Sequence, residues 1–262
     1  LDRTGASFDK SYKSILERLD KRAARVQMPI GLEDKFEGII DLIKMKAYYF
    51  EGDMGNQVIE KEVPEEYMEE AKALRVEMIE KVAETDESMM MKYLEGGEFT
   101  IEEIKAAIRK AVIATTFFPV FCGSALKNKG VQLVLDAVVD YLPCPTDVPA
   151  IKGTNPDNDE VIERHADDKE PFTALAFKMM SDPFIGQLVF FRVYAGTVEA
   201  GSYVYNPRTG NKERIGRIVR MQANEREDVK QVFAGEIAAA VGLKDVITSD
   251  TLCSEDNPIV LE

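Results

Sequence analysis

Residues 117 to 126 read Phe-Phe-Pro-Val-Phe-Cys-Gly-Ser-Ala-Leu. An apolar run of aromatic and β-branched residues stops there at small residues and a hydroxyl, which predicts a buried strand opening into a loop. Behind it, Asn128 to Tyr141 predicts a helix whose apolar face carries Val131, Val134, Leu135, Val138 and Leu142. A loop between a strand and the following helix is where α/β sheets bind ligands. Gly123, Ser124 and Ala125 let backbone approach a flat ligand, and their N–H groups are expected to be free to donate.

Outward from this stretch the chain divides. Its 262 residues exceed the usual size of one core, and the pattern changes near residue 145. At the N-terminal end, Leu1 to Ala6 reads as the start of an amphipathic helix with Phe8, Tyr12, Ile15, Leu16 and Leu19 on one face. The formal charge of −14 is concentrated in one segment: residues 51 to 104 hold 17 acidic against 5 basic residues, a balance of −12. Within it, Tyr67, Ala71, Leu74, Met78 and Val82 mark a helix opening at Pro64, with most of its glutamates off the apolar face. Thr100-Ile-Glu-Glu103 is a capping box for a second helix with Ile104, Ile108, Ala111 and Val112 as its stripe. Phe36 to Phe50 favours strand. An α+β insertion over about 24–115 follows.

From Cys144 to Glu170 the composition turns to Pro, Gly, Asn and Asp, which predicts a linker or long loop. After Pro171, short β-rich runs at Thr173 to Met180, Gln187 to Tyr194, Ser202 to Tyr205, Arg214 to Met221 and Glu236 to Val241 predict an antiparallel β-barrel. Cys122, Cys144 and Cys253, widely spaced and with only His165 to help, support neither a disulfide framework nor a zinc site. Cys122 reads as a small buried hydrophobe. The cysteine usage suggests a cytoplasmic protein, and no apolar stretch approaches the length of a membrane span.

Asp2 followed by Arg-Thr-Gly-Ala, Cys-Gly-Ser-Ala at 122 to 125 with Leu-Lys-Asn-Lys-Gly behind it, Glu-Arg-His-Ala at 163 to 166, Asp-Pro-Phe-Ile-Gly at 182 to 186 and Gly-Leu-Lys-Asp-Val at 242 to 246 together resemble bacterial elongation factor G. The resemblance extends over essentially all 262 residues. It implies an α/β fold followed by a barrel: part of a P-loop GTPase G domain over 1–150 with its α+β insertion, a linker over 151–170, and the translation-factor β-barrel over 171–262. Asp2 would then be the last residue of an Asn-Lys-x-Asp guanine motif, its carboxylate accepting two hydrogen bonds from the base. Ser124 and Ala125 match the family's Ser-Ala loop, whose alanine N–H donates to the guanine carbonyl. Read without the resemblance, Asp2 is more simply a helix cap, and the loop is as readily an ordinary tight turn.

A GTPase also needs a Gly-x-x-x-x-Gly-Lys-Ser/Thr loop and a magnesium ligand, and neither is in this sequence. Asn128-Lys129 is followed by Gly130 and Val131, so it is not the guanine motif. The resemblance therefore implies a parent that uses GTP and magnesium to drive ribosomal translocation. The chain itself is expected to hold no nucleotide, catalytic residue or metal ligand. Other translational GTPases, such as a class II release factor or a tetracycline-resistance ribosomal protection protein, are the alternatives, and an acidic nucleotide-independent binding module is a third. For partners, Glu66, Glu69 and Glu70 are candidates to meet the stalk protein of the large ribosomal subunit. Arg217 and Arg220 fall in a segment, 207 to 230, with seven basic against four acidic residues, and are candidates for small-subunit RNA. The alternative reading of each group is a solvated face, and for the basic segment it is the simpler one from sequence alone. Neither membrane nor DNA is expected as a partner.

Overall fold

A computed structural model describes residues 1–182, 186–223 and 225–261. The chain forms two compact units, Leu1–Pro143 and Cys144–Glu262. The Pro-Phe-Ile of the motif at 182 to 186 lies outside the described residues.

The first unit opens with α1 (Phe8–Arg18), β1 (Ala23–Arg25), β2 (Gln27–Ile30), β3 (Gly38–Asp41), β4 (Lys46–Glu51) and β5 (Gln57–Glu62). Then come α2 (Glu65–Ala83), α3 (Glu87–Leu94), α4 (Ile101–Ile113), β6 (Phe118–Val120) and α5 (Val131–Tyr141). Strands β1 and β6 pair in parallel, Ala23 opposite Phe118 and Arg25 opposite Val120. Everything between them is the insertion: β2 to β5 form an antiparallel meander, and α2 and α4 bury Ala71, Met78, Val82, Ile104 and Ile108 against it. The capping box at Thr100 and Glu103 is present in both directions.

Three helix expectations shift. Helix α1 begins at Phe8, where the Ser7 hydroxyl accepts the Lys10 N–H, so Asp2 caps nothing. Its face is spent early: Phe8 and Tyr12 are buried but Leu19 is 80 % exposed. Pro64 stands at the cap of α2 rather than as its first residue. In α5 the largest difference appears. Ala137 and Tyr141 are buried while Val134, Leu135, Val138 and Leu142 are exposed. Helix α4 fixes this rotation, because Lys105 Nζ meets Asp140 at 2.6 Å and Arg109 donates to the Asp140 carbonyl at 3.0 Å. Counting bulky aliphatics could not see that grip.

The second unit carries β7 (Ile151–Thr154), β8 (Val161–Arg164), β9 (Thr173–Asp182), β10 (Gly186–Ala195), β11 (Val198–Glu199), β12 (Tyr203–Asn206) and β13 (Asn211–Arg214). It continues with β14 (Arg217–Gln222), β15 (Glu225–Val229), β16 (Gln231–Val232), β17 (Ile237–Val241), β18 (Thr251–Cys253) and β19 (Val260–Leu261). Eight of these form one antiparallel sheet in the order β13-β12-β18-β9-β10-β17-β14-β15. Strands β13 and β14 stand first and seventh in that order, yet only Ile215 and Gly216 separate them in sequence. The sheet must therefore curl on itself, and the corner is tied both ways: Ile215 bonds Ser202 and Gly201, while the Gly216 N–H donates to Val241 O at 2.8 Å. Val189, Phe191, Ile218, Ala240 and Leu252 fill the interior.

Residues 151–170, expected as linker, are partly strand: β7 pairs with β8 and with β19 in a three-stranded sheet. Its Pro, Asn and Asp gather in the turn between β7 and β8, where the Asn155 side chain accepts the Asp157 N–H.

Candidate functional site: the Asp2 and Ser124 corner

The loop after β6 is short because it bonds to itself. Ser124 and Lys129 exchange N–H to carbonyl bonds at 2.9 and 3.0 Å, and the Asn128 N–H reaches Ala125 O at 3.1 Å. Gly130 closes it at φ +88, and a Cβ there would stand 2.5 Å from Ile39 Cδ1, so only glycine fits between the loop and the insertion. Of the three N–H groups expected to be free, that of Ser124 is thus consumed. The Ala125 N–H has no acceptor among the described residues, and Ala125 is exposed.

The chain's first residues are held against this loop although more than a hundred positions away: the Leu1 amino group donates to Gly123 O at 2.6 Å. Asp2 then faces Ser124. Its carboxyl is held below the ordinary 3.8, chiefly by the nearby Ser124 side chain, with smaller help from its own backbone N–H, the chain's amino group and Lys127. Ser124 itself is buried and also accepts the Lys127 N–H at 3.3 Å. An ionised acceptor and an unspent N–H donor thus stand on one rim. That arrangement suits a planar group offering donors on one edge and a carbonyl beside them. Lys127 was not singled out from sequence, and its position two residues past Ala125 is the only local signal for it. Cys122, behind the rim, is buried, and burial pushes its thiol up to about 12. It is no nucleophile.

The other candidates separate by charge. Glu66, Glu69 and Glu70 are exposed on one side of α2, with a single ion pair among the described residues, Glu69 to Lys72 at 3.0 Å. The basic segment of the barrel behaves otherwise. Arg208 pairs with Asp250, Lys212 with Glu255, Arg226 with Asp182, and Arg220 with Glu236 at 2.7 Å and Glu227 at 3.6 Å. Most of the partners lie outside 207 to 230, so the local balance of charge overstated the field. Arg217 is exposed with no ion pair among the described residues.

Residues 186–253 match the family model of elongation factor Tu domain 2. The whole chain is also similar to a crystal structure of a protein from Thermus thermophilus, with TM-score 0.78 and 26 % identity over 97 % of this chain and 35 % of that one. The chain thus spans about a third of the length of that relative. The antiparallel sheet of the second unit is thus similar to elongation factor Tu domain 2, and the chain as a whole shares its fold with part of the Thermus thermophilus protein.

Proposed function

We propose that the chain is the guanine-recognising end of a G domain, with its insertion and its second domain, from an elongation factor G type of translational GTPase acting on the ribosome. The observation that carries this reading is the meeting of the Asp2 carboxylate with the Ser124–Ala125 loop, where the Ala125 N–H remains unspent. Asp2 accepts from the base's ring N–H and exocyclic amine, and Ala125 donates to its carbonyl. GTP or GDP with magnesium would be anchored by residues beyond this chain. A bidentate base contact contributes only about 1–3 kcal/mol, whereas 1 mM affinity needs about 4 kcal/mol. The isolated chain should therefore show no calorimetric GTP binding at micromolar nucleotide. In the longer protein, Asp2→Asn should shift preference from GTP toward xanthosine triphosphate. Tight binding by the isolated chain, or unchanged guanine preference in the variant, overturns the assignment.

For partners, the open acidic side of α2 supports docking of a basic surface such as the ribosomal stalk protein offers. The RNA reading of the barrel rests on Arg217 more than on Arg220, whose guanidinium is already shared between two carboxylates.

A further inference from the structure

Three side chains of the first unit line one cavity with a polar atom unspent on each. Gln27 and Asp41 stand directly opposite in the β2–β3 pair, so their side chains share one face of the meander. The Gln27 Oε1 accepts the Cys122 N–H at 3.2 Å, which fixes the orientation of the amide and leaves Nε2 as its unspent end. Asp41 accepts the Ile43 and Lys44 N–H groups at 2.7 and 3.0 Å through Oδ1 alone, so Oδ2 is unspent as well. The third is Tyr141, turned inward by the grip of α4 on α5, whose hydroxyl has no partner among the described residues. Gln27 is 3 % and Tyr141 4 % exposed, yet none of the three unspent atoms is closed off from solvent. Polar groups so buried are ordinarily satisfied, and leaving them without a partner is costly.

The cavity holds about 280 Å³ and includes no residue of the Asp2 and Ser124 corner. Burial first, and then the charges of Asp41 and Asp140, raise the Tyr141 phenol above its ordinary value. Both carboxylates line the cavity, so the hydroxyl lies on that side. Lys44 and Lys105 stand with Asp136 and Asp140 along the walls, and Lys105 is already spent on Asp140 at 2.6 Å. Neither sign of ligand charge is welcome: a cation would meet the N–H groups of Gln27, and an anion would meet Asp41. A neutral group with a donor beside an acceptor meets neither conflict. Val26, Phe121 and Leu133 supply apolar wall for its stem, and the volume is below the roughly 300 Å³ at which pockets take whole drug-sized ligands.

We propose that Gln27, Asp41 and Tyr141 form a site for a neutral primary carboxamide, its N–H groups donating to Asp41 Oδ2 and its carbonyl accepting from Gln27 Nε2 and Tyr141 Oη. The carboxamide is carried either by a free small molecule or by a glutamine side chain of a peptide segment. The test follows the Gln27 side-chain N–H NMR resonances of the full 262-residue chain at pH 7. The probes are benzamide, its anionic and cationic isosteres benzoate and benzamidine, and acetyl-Ala-Gln-Ala-methylamide. Benzamide or the peptide should shift the resonances saturably and bind about tenfold more tightly than either isostere. Tyr141→Phe removes a hydroxyl that the fold leaves unspent, so it should hold the melting temperature and lose about tenfold in binding. Asp41→Asn keeps the turn bonds but puts a donor where the second oxygen was, so it should also lose about tenfold while the melting temperature does not fall. Peptide binding at least as tight as that of benzamide assigns the source to a protein segment, and weaker binding to a free molecule. No saturable shift, an isostere binding as tightly as both amides, or unaltered binding in the two variants overturns the proposal. Should either variant fail to fold, the isostere series still decides.

Discussion

The two units treat their surfaces oppositely. The barrel curls on itself, and four of the seven cations in its basic segment meet carboxylates among the described residues. The first unit leaves a row of aliphatic side chains on α5 exposed, holds a parallel sheet of only two strands, and carries glutamates one turn apart with little compensation. Parallel strands are ordinarily covered on both faces, and a two-stranded sheet is marginal by itself. Self-sufficiency is thus a property of the second unit. In the first, the stable part is the insertion, where α2 and α4 seal the meander.

The largest expected effect tests that contrast in the interiors. Phe191, fully buried in the barrel, should cost about 3–5 kcal/mol as Phe191→Ala, whereas Leu135→Ala on α5 should cost less than about 0.5 kcal/mol. Denaturant unfolding of both variants checks this. Equal losses would mean that α5 is covered after all.

A second comparison sets one carboxylate against another. Asp250 is 3 % exposed and holds Arg208, the Ile247 N–H and Asn206 Nδ2; burial raises its pKa, but those three partners outweigh burial and leave it below 3.8. Its contribution is present above 3.8 and lost as pH falls through the lowered value. Asp41 runs the other way, since burial outweighs the N–H groups of Ile43 and Lys44 and holds it above 3.8. Its contribution is present below 3.8 and lost as pH rises through the raised value. Asp250→Ala should therefore cost about 1–3 kcal/mol at pH 7 by orphaning its donors. Asp41→Asn, which can keep the two turn bonds, should stabilise at pH 7 and become neutral below pH 3.8. Unfolding free energies at pH 7 and pH 3 measure both signs, and a loss of stability in Asp41→Asn at pH 7 contradicts the second.

The smallest effect concerns α2. Glu66 and Glu70 are like charges one turn apart, so replacing both by Gln should raise stability by about 0.2–0.5 kcal/mol at low salt and by nothing in 1 M salt. Thermal melts at the two salt concentrations decide, and an unchanged low-salt value would show that the glutamates are relieved elsewhere.

What the sequence revealed divides along the same line between local and distant. The capping box of α4 and the buried face of α2 are written within a dozen residues and were legible; the strand into Ser124 was legible too, but not its burial, since Phe118 is exposed and Pro119 and Val120 only half-buried while the flanking Phe117 and Cys122 are the buried residues. The barrel's pairings were not. Arg208 meets Asp250 across 42 positions and Arg226 meets Asp182 across 44, and no spacing rule reaches so far. Strands β7 and β8 were hidden by the polar turn between them. At the candidate site, the place of Asp2 beside Ser124 followed from resemblance, while the spending of the Ser124 N–H on Lys129 depended on loop geometry.

The corner at Ile215 and Gly216 bears on the order in which the barrel forms. Strands made consecutively along the chain end up at first and seventh place in the sheet, so growth by adding one hairpin to the last cannot complete the ring. The bonds from Gly201 and Gly216 at that corner require β12 and β17 to be already in reach. Ring closure is then a late event governed by contacts distant in sequence, which are slow to assemble. Until it occurs, the backbone of 211–214 and 217–222 is open to pairing with other chains.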